Sequence, residues 1–262
     1  GLVAMDSLSY TQEANAPCPF CTNHCKRTIV RFSNGQSWVT NNRCERGEVL
    51  GDPKDPAVRK LQREREEAQA KVPNCYKIRE SLLWKDYPVP EHVTDRNITL
   101  GIPRVLYFWE TMDFWYTFFR SLGFTVRVSA PSSHKLYEEG LYAVASDTVC
   151  LPAKLVHGHI RSLAKTHVDR IFMPSITSVQ SENKEKTSEW MCAIVKGYPL
   201  VIKNSDNPEH VFGIPFDDPL FHWYTNKDRD EQLTKYIKDT YNIPDEEIRN
   251  AIRFADMAEN SF

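Results

Sequence analysis

The residues with the clearest capacity for chemistry are cysteines, at 18, 21, 25, 44, 75, 150 and 192. Cys18-Pro-Phe-Cys21-Thr-Asn-His-Cys25 followed by Cys44 gives the spacing C-x2-C-x3-C-x18-C. Four soft thiolates supplied by two knuckles suit a tetrahedral metal, and zinc or iron is the expected occupant. His24 is an alternative ligand for one of them, and a disulfide pair or free structural thiols are the readings that need no metal. A closed four-ligand site leaves no position open for substrate, so this one reads as structural. A second set lies further along: Cys150, Lys154, His157 and Arg161 recur at 4, 3 and 4 residues, one face of a helix. A thiol at a helix N-terminus in line with three basic groups reads as an activated thiolate or cluster ligand facing an anion. The plainer alternative is a half-buried cysteine beside a solvated basic face. Cys75 and Cys192 read, on local grounds, as small core residues.

Three stretches must position these groups. In residues 1–50, Thr28-Ile-Val-Arg-Phe32 alternates as a strand, 33–36 supplies turn residues and Ser37-Trp-Val-Thr40 returns antiparallel. Such a hairpin is marginal alone, so the cysteines at its ends are expected to pin it. Residues 51–97 read as a connector: a helix from Val58 to Lys71 with little apolar face, then an extended segment around Pro88 and Pro90. Residues 98–262 read as an α/β domain. Strands are expected at Ile98–Ile102, Phe124–Ser129, Arg170–Met173 and, further on, Leu200–Ile202. Helices are expected at Glu110–Leu122, Asp147–Lys165, Asp228–Tyr241 and Pro244–Glu259. On the second of these, Val149, Ala153, Val156, Ile160 and Leu163 form the face that packs on the sheet. Alternating strands and helices imply parallel βαβ units, which place ligands beyond the strands' carboxyl ends.

Composition removes several functions. The 262 residues contain no apolar run near the ~20 that a spanning helix needs, and no secretory signal opens the chain. The 10 glycines form neither of the two common glycine-rich phosphate-cradling patterns, the dinucleotide-binding fingerprint and the P-loop. A formal charge of −2 provides no field for nucleic acid or an anionic membrane. Nucleophile, base and oxyanion donor are not found together, which argues against an independent hydrolase.

Several motifs together resemble one family: Cys21-Thr-Asn-His-Cys25, Asn42-Arg-Cys-Glu-Arg-Gly47, Gly101-Ile-Pro-Arg-Val-Leu106, Phe114-Trp-Tyr-Thr-Phe-Phe119, Ser146-Asp-Thr-Val-Cys150 and Pro152-Ala-Lys-Leu-Val-His-Gly-His159. It is the uncharacterised domain of large CoA-substrate-specific enzyme activases, related to activators of 2-hydroxyglutaryl-CoA dehydratase. The resemblance implies a Rossmann-like parallel sheet similar to a dehydratase-subunit domain, preceded by a small four-cysteine, metal-ribbon-like hairpin. It further implies a cytoplasmic chain from an anaerobe, with ATPase and dehydratase-like domains as partners. It places Cys150 and Cys192 at the ligand positions of an iron-sulfur cluster, with Lys154, His157 and Arg161 around it. Where the family often has a cysteine after the proline near 174, this chain has Ser175. The function it implies is an accessory iron-sulfur-related module of an ATP-dependent activase. The alternatives are a zinc-stabilised assembly domain and an acyl-CoA or anion-binding domain without redox chemistry.

Overall fold

A computed structural model describes residues 8–181, 185 and 189–262. The chain divides into two compact units, the first ending at Ile78 and the second running from Arg79 to Phe262.

The first unit is a three-stranded antiparallel sheet in the order β1 (Tyr10–Pro17), β2 (Lys26–Phe32), β3 (Ser37–Thr40). β2 and β3 are the expected hairpin. β1 has no counterpart in the sequence reading, because Gln12, Glu13 and Asn15 break any apolar alternation, and it pairs through an irregularity between Glu13 and Ala16. A short 3-10 turn, Glu45–Glu48, follows, and then α1 (Pro56–Ala70), which buries no residue. The solvated helix predicted there is present. Helix α2 (Cys75–Leu83) spans the division, so the segment expected as a connector gives α1 to the first unit and Leu83 and Tyr87 to the interior of the second.

The second unit is a mixed α/β layer. β4 (Thr99–Ile102), α3 (Phe108–Ser121), β5 (Thr125–Val128), α4 (His134–Leu141), α5 (Leu151–Ala164) and β6 (Arg170–Phe172) follow in order. After β7 (Ser175–Ile176) come α6 (Ala193–Ser205), α7 (Pro208–Phe212), β8 (Phe216–Asp217), β9 (Leu220–Phe221), α8 (Asn226–Tyr241) and α9 (Asp245–Ser261). The main sheet is parallel throughout in the order β5-β4-β6-β8, and β7 pairs with β9 in a small parallel sheet. This four-stranded sheet flanked by helices is compatible with the Rossmann-like expectation. Leu100, Ile102, Ile171 and Phe172 are wholly buried in the sheet. The aromatic stripe of α3 covers it, with Trp115 and Phe119 centred 4.9 and 4.8 Å from Phe172.

Glycines fix two close approaches. Gly123 closes α3 at φ +88, where a Cβ would fall 1.9 Å from the Thr94 carbonyl oxygen. Gly140 of α4 and Gly158 of α5 face each other, and a Cβ on Gly158 would fall 2.1 Å from the Leu136 carbonyl oxygen.

One element differs outright from its expectation. Leu200-Val-Ile202 is the last part of α6, not a strand. A three-residue apolar run does not distinguish the two. Tyr198 and Ile202 are buried at helical spacing while Leu200 is 58 % exposed, and the i, i+4 pair is what packs.

Candidate functional site

Helices α5 and α6 begin beyond the carboxyl ends of the main strands, because each runs back toward the start of the next parallel strand. Cys150 and Cys192 are their N-cap residues. α5 starts at Leu151 rather than Asp147, since Pro152 suits the first turn and the preceding residues form a bend. Both thiols are exposed, which corrects the expectation that Cys192 is a core residue: a helix cap lies outside the apolar face. Cys75, expected likewise, is exposed at the start of α2. Backbone N–H groups of Val195 and Ile194, with the Lys196 ammonium, hold the Cys192 thiol below its usual range.

The expected core face of α5 is present, with Ala153, Val156, Ile160 and Leu163 wholly buried. On the neighbouring face, His157 and Arg161 are covered rather than solvated. His157 has no exposed surface and Arg161 is 6 % exposed. Asp206, just past α6, accepts Nδ1–H of His157 at 2.7 Å and two Arg161 hydrogen bonds at 2.6 and 2.9 Å. Burial would raise the Asp206 carboxyl, but the hydrogen bonds from His157 and Arg161 outweigh it and hold it below the usual carboxylate range. On the other side of the same ring, Nε2 of His157 lies 3.0 Å from the Tyr198 hydroxyl. Burial raises the Tyr198 hydroxyl, and the charges of Cys150 and Asp206 add to the shift, so Cys150 is within electrostatic reach of Tyr198. Arg161 also donates through Nε to the Tyr142 hydroxyl and stacks 4.6 Å from its ring. Lys154 stays at the rim, donating to the Asp147 carbonyl.

Cys150 lies seven residues before His157 and Cys192 six before Tyr198. Ser175, in β7, is buried with its backbone N–H donating to Pro219.

Sequence reasoning missed Tyr198 and Asp206, whose link to α5 depends on α6 being a helix. It also missed a second buried histidine. His159 bonds Ser129 through Nδ1 (2.7 Å) and Ser132 through Nε2 (3.0 Å), and burial, aided by the Arg104 charge, lowers it to about 4. No nucleophile pattern in the sequence marks it.

In the first unit, Cys18 and Cys25 are joined by a backbone hydrogen bond of 2.8 Å, and Cys44 caps the 3-10 turn. The knuckle before β2 and the turn after β3 are thus at one end of the sheet. Arg27 ties that turn down by donating to the carbonyls of Gly47 and Val49. Among the described residues, no three His, Cys, Asp or Glu side chains come together as a metal requires, so the expected closed four-thiolate set is not assembled. Among the described residues, no helix is long and apolar enough to cross a membrane.

No curated protein and no solved structure matches the chain. The family model of the CoA enzyme activase uncharacterised domain matches residues 99–262, more than half of the chain and nearly all of the second unit, and the chain therefore belongs to that family.

Proposed function

We propose that the chain is an accessory, iron-sulfur-related module of an ATP-dependent activase that serves a 2-hydroxyacyl-CoA dehydratase-like system. The observation that carries this reading is the pair Cys150 and Cys192, each exposed as the N-cap residue of a helix, α5 and α6, in the α/β unit. N-terminal helix dipoles favour thiolates there, and Lys154 and Lys196 add positive charge. The donor set fits a cluster in part: two thiols are present, Ser175 stands where a third is often found, and no third His, Cys, Asp or Glu joins them among the described residues. The remaining ligands would then come from a partner domain. A bound cluster would supply one-electron chemistry at low potential. The chain's own residues hold the two thiols: His157, Asp206 and Arg161 fix Tyr198 and keep α5 and α6 in register. Anaerobic reconstitution with ferrous iron and sulfide tests this. Cluster absorbance and bound iron that are lost in both Cys150→Ala and Cys192→Ala support it, whereas zinc alone with no cluster absorbance overturns it.

A second reading concerns the first unit and rests on Cys18, Cys21, Cys25 and Cys44 lying at one end of its sheet. Zinc or iron held there would stabilise the hairpin and the turn after it, in a unit that serves assembly rather than catalysis. Metal analysis of the full chain and of Cys44→Ser tests it.

A further inference from the structure

A cavity of about 340 Å3 opens in the second unit beside the carboxyl ends of β4 and β5. Val126 and Val128 of β5 line one part of it, and Met112 of α3 and Leu83 line another. Among the described residues that line it, the charged group is Arg104, the second residue after β4. The main chain of Arg104 is fastened on both sides: its N–H donates to Ser129 Oγ at 2.8 Å and its carbonyl accepts from Trp109 Nε1 at 3.1 Å. The guanidinium carbon stacks 4.1 Å from the Trp84 ring and 5.3 Å from Trp109, and the side chain is only 12 % exposed. Glu80 accepts from Nη2.

Two donors on these lining residues have no acceptor among the described residues. Arg104 Nε and Trp84 Nε1 are both buried and unpartnered. Ser129, whose hydroxyl is engaged by His159 and the Arg104 backbone, bonds neither of them. Buried donors are normally satisfied by protein, water or a ligand, and a group with lone pairs would complete these two. A planar guanidinium held against aromatic rings matches a carboxylate better than any other common group. The volume is at the small end of ligand pockets, and the apolar walls favour a hydrocarbon body.

We propose that this cavity binds a small carboxylic acid with an aliphatic or alicyclic body, its carboxylate on Arg104 and its body between Val126, Val128 and Met112. The site does not depend on the two thiols and stands whether or not they hold a cluster.

Calorimetric titration of the full chain with cyclohexylacetate and hexanoate, and with their primary amides, tests the proposal. Both acids are expected to bind and to change the fluorescence of Trp84 and Trp109, with the amides about tenfold weaker or worse. Met112→Trp fills the cavity and is expected to abolish binding. Val126→Phe does the same from the opposite wall if the first variant fails to fold. Arg104→Lys keeps the charge, loses the fork, and is expected to weaken the acids toward the level of the amides. Equal affinity for acid and amide overturns the carboxylate assignment. Absence of binding at millimolar acid, or undiminished binding to a folded cavity-filling variant, overturns the site.

Discussion

The two units bury very different things. The first encloses Ala16, Ile29 and Val39, with Leu50 packed against them. The second encloses Trp115, Phe118, Phe119, Phe172 and Phe221 together with a wholly buried histidine pair. Burial of one large apolar side chain is worth ~1.5–3 kcal/mol, so small-to-medium ones such as Ala16, Cys18, Ile29, Val39 and Val49 do little against the entropy of ordering a unit of this length. The contrast teaches where each unit obtains its stability. The second has enough apolar surface to carry charged groups in its interior and satisfy them there. The first relies on its sheet hydrogen bonds and on the Arg27 tie to Gly47 and Val49.

The comparison breaks most visibly at Trp115. Trp115→Ala is expected to destabilise the second unit by about 3–5 kcal/mol and leave the transition of the first in place, read by urea unfolding with near-UV and far-UV dichroism. A single transition that moves as a whole would mean that the units share one cooperative core. Asp206→Ala strands Arg161 and His157 without their acceptor, and a loss of about 3–5 kcal/mol is expected from urea midpoints at neutral pH. A loss below ~1 kcal/mol would show that the network is not a buried ion pair in solution.

Acid sharpens the same contrast. His159 is depressed to about 4 in the folded state, while the unfolded chain takes up the proton near the ordinary histidine value. The unfolded state therefore binds more protons between about pH 6.5 and 4, and stability falls with pH across that window by roughly 3 kcal/mol. Urea midpoints against pH should show the slope in the second unit, and His159→Gln should flatten it. Zinc acts on the other unit. If the four thiols bind it, zinc at a hundredfold over its dissociation constant raises the first unit's stability by about 2.7 kcal/mol, an increase removed by Cys44→Ser. The smallest change is Thr225→Ala: its hydroxyl caps α8 by accepting from the Asp228 N–H, and a loss of about 1 kcal/mol in thermal unfolding is expected.

Much of this fold is legible where periodicity is long. The aromatic stripe of α3, the apolar face of α5 and the helices from Asn226 onward all repeat over several turns, and each packs as its spacing predicts. Where signals are short, they mislead or are silent. β8 and β9 are two residues each, and Leu200-Val-Ile202 fits either periodicity. That ambiguity extends to the site. With α6 read in part as a strand, neither Tyr198 nor Asp206 points at α5, and Lys154, His157 and Arg161 look like one solvated basic stripe.

The sequence by itself determines which residues share a helix face and where the hairpin turns, because these follow from spacing along one element. Tertiary structure decides the rest. It sends His157 and Arg161 inward to Asp206, leaves Cys150 and Cys192 exposed, and packs Arg104 against Trp84 and Trp109. Whether a basic group meets water or a carboxylate depends on the neighbouring element, and no periodicity within its own helix encodes that neighbour.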